Sequence, residues 1–398
     1  MTRRLEFLYD FSCPYAYLAS TQVRALAERT RAELVYEPFL LGGVFKALGG
    51  EPMASMAPAR ARMNGLDMYR WAEHWRVPLV MPPGHPNRTV LALRATLASD
   101  DVPRASHALF EAYWAEGQDL SRPEVVERAL TGAGFDGAAL VARADDERAE
   151  LFARTERAVE LGVFGAPAFV VEGELYWGQD RLDQVERALG GTPPAPAPRA
   201  RRAGARVDFW FDFSSPFAYL ASTAIEGVCA RTGAELRFRP FLLGGLFKAI
   251  GTPDVPLFSF PEAKRRYFER DLQRAAAERG VTLRFPSGFP MRTVLPLRLV
   301  LVAGHDAGRL THALYRAAWC DDRDIADPEV LAAICAELDL DPALVERAGS
   351  EAAKRALRES TDQAVSLGLC GAPSFVVDGQ VYWGQDRLAF VERALGTL

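Results

Sequence analysis

The sequence predicts an α/β protein in which one unit is written twice, each copy a small mixed sheet interrupted by an all-helical insertion. Three observations lead there: an internal repeat, short β-rich apolar runs at both ends of each copy, and a long helix-forming stretch between them. The segment Tyr9-Asp-Phe-Ser-Cys-Pro-Tyr-Ala-Tyr-Leu-Ala-Ser20 returns as Phe211-Asp-Phe-Ser-Ser-Pro-Phe-Ala-Tyr-Leu-Ala-Ser222, and Pro38-Phe-Leu-Leu-Gly-Gly43 returns as Pro240 to Gly245, both at an offset of 202. The offset grows to 204 at Arg88-Thr-Val-Leu and Arg292-Thr-Val-Leu, and to 206 at Tyr176-Trp-Gly-Gln-Asp-Arg-Leu182 and Tyr382 to Leu388. Self-similarity at one nearly constant spacing marks a duplicated unit.

Each element follows in order. Leu5 to Phe11 and Val207 to Phe213 are β-prone apolar runs, and the proline after each suits the first turn of a helix. Leu34 to Phe39 and Leu236 to Phe241 read as second strands. The stretches from there to about Leu161 and Leu367 are rich in Ala, Arg, Glu and Leu and predict helices. Ala168 to Trp177 and Ser374 to Trp383 each hold two strand-like runs around an Xaa-Gly pair, a hairpin signal. A short helix, Asp180 to Leu189 or Asp386 to Leu395, closes each copy. The order β-α-β, helical insertion, β-β-α is that of a thioredoxin-like domain split by helices. The expected domains are 1-190 and 206-398, joined by a Pro/Ala/Arg-rich linker, 191-205, whose prolines favour extended backbone. The basic run at the end of that linker reads as solvated chain.

Composition removes several classes of function. The 398 residues suffice for two or three domains, and 49% hydrophobic with 25% charged residues is ordinary for a folded chain. With 52 acidic against 47 basic residues there is no basic field for nucleic acid. Glu6 and Asp10 interrupt the place where a signal peptide needs its apolar stretch, and the greasiest segment, Leu295 to Gly304, is far short of the ~20 residues of a membrane span. The five cysteines form no C-x-x-C pair, so neither a disulfide framework nor a metal site is expected, and a reducing cytoplasm fits.

The first strand-helix junction holds the most suggestive chemistry. Cys13 and Ser215 stand directly before Pro14 and Pro216, where free backbone N–H groups and the helix dipole favour a negative atom. For Cys13 that atom is its own thiolate, its pKa lowered by the helix end, unless the residue is only a small cap. Ser215 has no such option near neutral pH and reads as a donor to another anion. Gly165-Ala166-Pro167 and Gly371-Ala372-Pro373 place a proline immediately before a strand, where a cis bond or an ordinary turn accounts for it.

Taken together, these four motifs in order resemble the 2-hydroxychromene-2-carboxylate isomerase family, which is related to kappa-class glutathione transferases and more distantly to DsbA. The resemblance covers each copy from end to end. It implies a glutathione site per copy: Ser215, and Cys13 in the first copy, at the sulfur; Pro14, Tyr15, Pro216 and Phe217 beside it; Ala166, Pro167, Ala372 and Pro373 along the cysteinyl backbone. Gln179, Asp180, Gln385 and Asp386 would take the γ-glutamyl group, and Lys46 and Lys248 a carboxylate. It further implies conversion of a small aromatic acid, with Arg88 and Arg292 as candidates for its carboxylate, by thiolate addition to a conjugated double bond, rotation and elimination. One chain would then mimic a homodimer. Gly50 and Thr252 stand where kappa-type enzymes have an asparagine, and Ala16 and Ala218 where DsbA-like oxidases have a second cysteine, which disfavours dithiol cycling. His107, His312 and the tryptophans Trp177 and Trp383 read as packing residues, and Cys229, Cys320 and Cys335 as core thiols. Alternatives are a kappa-like transferase or peroxidase, a DsbA-family thiol oxidoreductase acting through Cys13, and a non-catalytic glutathione-binding scaffold.

Overall fold

A computed structural model describes residues 2–49, 56–194, 200–253 and 255–397. In the first copy the order is β1 (Arg4–Tyr9), α1 (Pro14–Thr30), β2 (Glu33–Pro38), α2 (Leu41–Leu48), α3 (Pro58–Trp75), α4 (Val90–Leu97), α5 (Val102–Phe110), α6 (Pro123–Gly132), α7 (Gly137–Arg143), α8 (Arg148–Glu160), β3 (Ala168–Val171), β4 (Glu174–Trp177) and α9 (Leu182–Ala188). The second copy follows with β5 (Ala200–Arg201), β6 (Arg206–Phe211), α10 (Pro216–Thr232), β7 (Glu235–Pro240), α11 (Leu243–Ile250), α12 (Pro256–Ser259), α13 (Glu262–Glu278), α14 (Val294–Val302), α15 (Ala307–Trp319), α16 (Pro328–Glu337), α17 (Leu344–Ala348), α18 (Glu351–Ser366), β8 (Ser374–Val377), β9 (Gln380–Trp383), α19 (Leu388–Leu395) and β10 (Gly396–Thr397). Both copies are thioredoxin-like α/β domains, each with a helical insertion between its second and third strands.

The sheets repeat as the sequence does, in the orders β2-β1-β3-β4 and β7-β6-β8-β9. β1 runs parallel to β2, with Leu5 opposite Leu34, and antiparallel to β3, with Phe7 opposite Phe169. The β3–β4 turn carries Glu172 at φ 51° and Gly173 at φ 83°, and the matching turn Asp378 at 50° and Gly379 at 78°. Two left-handed residues in succession match the twist of a tight hairpin, so an Xaa-Gly pair sits there in both copies.

Alternation along β1 sets two cores. Leu5, Phe7 and Tyr9 are buried with Ala16, Tyr17, Val23 and Leu26 of α1. Leu8 points the other way, into a smaller cluster with Phe39, Val44, Ala158, Val163 and Val170. At the place of Leu8 the second copy has Trp210, fully buried, its ring 6.2 Å from that of Phe241.

By internal contacts the chain divides into a unit of 1–55, 64–195 and 260–267 and a unit of 56–63, 196–259 and 268–398. The linker reading needs one correction. Its basic end is not merely solvated: Ala200 and Arg201 pair with Thr397 and Gly396, Arg202 forms an ion pair with Asp378 at 2.6 Å, and Arg201 donates to the Ala230 carbonyl. Among the described residues no helix is long and apolar enough to cross a membrane, and no cluster of side chains suits a metal ion.

Candidate functional site

In both copies the site begins at the strand-helix junction, and the backbone there is the same. Cys13 and Ser215 are the N-caps of α1 and α10, each at φ −99° and ψ 114°. Cys13 N–H donates to the Asp10 carbonyl and Ser215 N–H to the Asp212 carbonyl, both at 3.1 Å. Each side chain then reaches across to the residue before the strand proline: Cys13 Sγ donates to the Ala166 carbonyl at 3.0 Å, and Ser215 Oγ to the Ala372 carbonyl at 2.8 Å. Ser215 Oγ also accepts from Ala218 N–H at 3.2 Å, a true cap, whereas Cys13 makes no such bond.

The surroundings of Cys13 run against the expected thiolate. Only 7% of the residue is exposed, and burial pushes its thiol up to about 12. The N–H groups of Ala16 and Tyr15 pull the other way, and the Asp10 carboxylate adds to the upward shift. Desolvation of a small anion outweighs two partial dipoles, so the sulfur keeps its proton.

The proline motifs lie against this junction. The Ala166–Pro167 and Ala372–Pro373 bonds are cis. Pro167 accepts from Gly178 N–H at 2.9 Å and Pro373 from Gly384 N–H at 3.0 Å, which fixes Gln179-Asp180 and Gln385-Asp386 beside the prolines. Gly165 and Gly371 are required by close approach, since an added Cβ would fall 2.6 Å from the indole nitrogen of Trp177 or Trp383. The carboxylates of Asp180 and Asp386 are engaged: they pair with Arg181 at 3.1 Å and Arg387 at 2.9 Å. Gln179 and Gln385 are buried, and Gln385 accepts a short hydrogen bond from Arg279.

Lys46 on α2 and Lys248 on α11 are exposed, as are Arg88 and Arg292 ahead of α4 and α14. Gly50 lies outside the described residues, while Thr252 donates its N–H to the Phe247 carbonyl. Tyr15 donates to Asn64, and Phe217 packs edge-on to Phe268. In the second unit Arg60 lies 5.2 Å from the Trp383 ring centroid, and burial lowers its pKa.

Sequence reasoning missed the residues that hold the junction. The buried Asp10 carboxylate accepts from Ser12 N–H and Oγ, each at 2.9 Å, from Leu41 N–H at 2.8 Å and from Thr89 Oγ1 at 2.7 Å. Asp212 repeats the set with Ser214 N–H and Oγ, Leu243 N–H and Thr293. Burial raises the Asp212 pKa against these donors. The signal was present in both repeats, as an aspartate four residues before each helical proline and a threonine beside each arginine of Arg-Thr-Val-Leu.

The remaining titratable groups stand apart. His107 is exposed near Glu111, and His312 is 3.0 Å from Glu226. Cys229 and Cys335 are buried as expected, but Cys320 is not a core thiol: it is half-buried and lies 3.1 Å from the Tyr219 hydroxyl. Cys370 is buried, and desolvation pushes it up to about 12.

A ligand anion suits the junction on one structural ground, the Ser215 hydroxyl placed at the N-terminus of α10. The model of the DSBA-like thioredoxin domain matches residues 4–190 and again 206–396. A 2-hydroxychromene-2-carboxylate isomerase of Sphingobium xenophagum is 32% identical over 48% of this chain and 97% of its own length. Glutathione S-transferase kappa 1 of Caenorhabditis elegans is 27% identical over 48% and 93%. A solved 2-hydroxychromene-2-carboxylate isomerase aligns at 27% identity, covering 48% of this chain and 93% of that one, with a TM-score of 0.44. Each relative spans one copy; the chain is similar to kappa glutathione transferases, and it belongs to the DSBA-like thioredoxin domain family and with the 2-hydroxychromene-2-carboxylate isomerases, with the domain present twice.

Proposed function

We propose that the protein is a glutathione-dependent isomerase of the 2-hydroxychromene-2-carboxylate type, acting on a small aromatic keto acid in the cytoplasm. The observation that carries this reading is the Ser215 hydroxyl at the N-terminus of α10, 2.8 Å from the Ala372 carbonyl beside Pro373. Ser215 turns its hydrogen from that carbonyl to the incoming sulfur, and the helix end adds its dipole. When bound, glutathione supplies a thiolate able to add reversibly to a conjugated double bond. Ala372 and Ala166 offer backbone pairing to its cysteinyl part, and Gln385 with Asp386, or Gln179 with Asp180, receives its γ-glutamyl end. The existing Asp386–Arg387 pair then opens or shares its carboxylate with an ammonium. Arg292 and Arg88, exposed and uncommitted to the core, attract the substrate carboxylate.

The test is calorimetric titration of glutathione into wild type and Ser215→Ala, with thiolate absorbance followed in the ultraviolet, then assay of the chromene acid. Binding with a thiolate signal whose second-copy share Ser215→Ala reduces about tenfold or more, together with turnover, supports the reading. Absence of binding sinks it. A second reading, a kappa-like transferase, draws on the 27% identity to the nematode kappa enzyme and is separated by conjugation of a model electrophile without isomerisation. The thiol oxidoreductase reading is disfavoured by the protonated, buried Cys13 and by alanine at positions 16 and 218. A scaffold would bind glutathione and turn over nothing.

A further inference from the structure

The loops that lead from α3 to α4 and from α13 to α14 are anchored alike. Val80 N–H donates to the Trp114 carbonyl and Arg284 N–H to the Trp319 carbonyl, both at 2.7 Å, while Thr89 and Thr293 bond the buried Asp10 and Asp212. The same two tryptophans hold the carbonyls of Phe11 and Phe213, two residues before Cys13 and Ser215. Each loop is therefore fixed against its own strand-helix junction, with Arg88 or Arg292 exposed near its end.

What the two loops present there differs. His85-Pro86-Asn87-Arg88-Thr89 of the first copy is Phe289-Pro290-Met291-Arg292-Thr293 in the second, and Ala112-Tyr113-Trp114 is Ala317-Ala318-Trp319. The half-buried His85 ring lies 5.0 Å from that of Trp114, and its Nδ1 is 2.9 Å from the hydroxyl of the fully buried Tyr113. That hydroxyl also accepts from Asn87 N–H at 3.0 Å. Were Nδ1 a second donor to it, the Tyr113 hydrogen would be buried with no acceptor, so the hydroxyl donates and Nδ1 accepts. Burial lowers the His85 pKa, so the ring is neutral at pH 7 and the network assigns its one hydrogen to Nε2. Among the described residues none accepts from Nε2.

In the second copy Phe289 stands among Phe285, Trp319 and the exposed Phe258, with ring centroids 5.6, 6.2 and 6.3 Å away. The Trp319 N–H is spent on Phe213, and Ala318 replaces the tyrosine, so these side chains offer a ligand no donor. The residue after each helical proline changes in the same sense: Tyr15 bonds Asn64 through its hydroxyl, whereas Phe217 packs edge-on to Phe268 at 6.0 Å. Three exchanges around one junction thus all set a polar group in the first copy against an apolar one in the second.

We propose that the two copies select different aromatic acids: the first a ring that carries a hydroxyl or carbonyl oxygen, bonded by His85 Nε2–H, and the second an unsubstituted ring seated on Phe289. His85 is the specificity-determining residue, and Tyr113 is the positioning residue that fixes its tautomer. Arg88 and Arg292 serve the carboxylate in both copies, so the residue three places earlier in the same loop is what distinguishes the rings. The aromatic class of the ligand rests on the isomerase reading above; the tautomer of His85 does not.

The experiment is an NMR titration of the full chain, its histidine nitrogens labelled, with 2-hydroxycinnamate and with cinnamate, in the presence and absence of glutathione. The chain has five histidines, and His85→Phe identifies the signal of His85. At pH 7.5 the nitrogen shifts are expected to show Nε2 protonated and Nδ1 bare, with Tyr113→Phe mixing the two tautomers. The phenolic acid should move the His85 signal with a Kd about five- to tenfold below that of cinnamate, the difference one hydrogen bond supplies. In His85→Phe, calorimetry should find the two acids bound within about twofold of each other. Phe289→His combined with Ala318→Tyr should give the second copy the same preference, read as a sixth histidine signal that 2-hydroxycinnamate moves. A ring protonated on Nδ1, a His85 signal that neither acid moves, or a preference undiminished in His85→Phe would overturn the proposal. A chain that binds the acids in this way but not glutathione sinks the isomerase reading alone; one that binds glutathione while the His85 signal stays still sinks this proposal alone.

Discussion

The Trp319 indole N–H donates to the Phe213 carbonyl at 2.8 Å, joining the end of α15 in the helical insertion to the loop that carries Ser215; Trp114 makes the same 2.8 Å bond to Phe11. Both tryptophans are fully buried, so no water replaces the donor if it is lost. A Trp319→Phe variant is expected to lose about 1–3 kcal/mol, because the carbonyl is left buried and unpaired and the smaller ring leaves a gap. Urea unfolding checks this, and a midpoint equal to wild type would remove the bond from the account.

Arg31 and Gly233 end equivalent helices in the left-handed region, at φ 55° and φ 72°. Glycine reaches that region without a Cβ clash, whereas arginine does not. Arg31→Gly is therefore expected to raise stability by about 0.5–1 kcal/mol, read as a higher thermal midpoint. A lower midpoint would show that the Arg31 side chain contributes more than the strain costs.

Adding one methyl at Gly371 tests the packing beside Pro373. The Cβ would meet the Trp383 indole nitrogen at 2.6 Å, and the φ of this glycine is not in the left-handed region, so any cost arises from crowding alone. Gly371→Ala should destabilise by about 1–3 kcal/mol and alter tryptophan fluorescence. An unchanged emission spectrum with unchanged stability would mean that the ring has room to move.

Alkaline pH should weaken the fold before acid chemistry has any part. Burial pushes the Cys13 and Cys370 thiols from 9.0 up to about 12, and Cys229 up to about 11. Between those limits the unfolded chain has released protons that the folded chain still binds, so stability falls as pH rises. Below about pH 8 the contribution is complete; above 9 each thiol removes up to about 1.4 kcal/mol per pH unit. Urea midpoints at pH 8.0, 9.5 and 10.5 should fall in that order in wild type, and less steeply in Cys370→Ala. A flat series would show that these sulfurs are hydrated.

Much of this architecture is legible in the chain. The repeat, the alternation of Leu5, Phe7 and Tyr9, and the Xaa-Gly pairs at 172–173 and 378–379 carry local physics, so the strands, the hairpins and the opposed junction and proline motifs are all visible as text. What stays hidden is partnership over distance. Nothing about Asp10 in sequence says that its carboxylate meets Thr89, 79 residues on, and the neighbouring arginine draws the eye because charge suggests function. The state of Cys13 was hidden for a related reason: a helix end is visible in sequence, whereas the desolvation that opposes it depends on what the rest of the fold packs around the sulfur. Likewise the pairing of Arg201 with Gly396 depends on where the last helix leaves the chain.

Leu8 and Trp210 occupy the same place in the two first strands, both buried, yet an indole stands in one where an isobutyl group stands in the other. A chain that contains the same strand pattern twice can join a strand of one copy to the sheet of the other while it folds. Here such an exchange would drive a tryptophan into a space closed around leucine, or leave a leucine rattling in a space shaped for a tryptophan, and either error costs a few kcal/mol. The two first strands are therefore not interchangeable between the copies without a cost in packing.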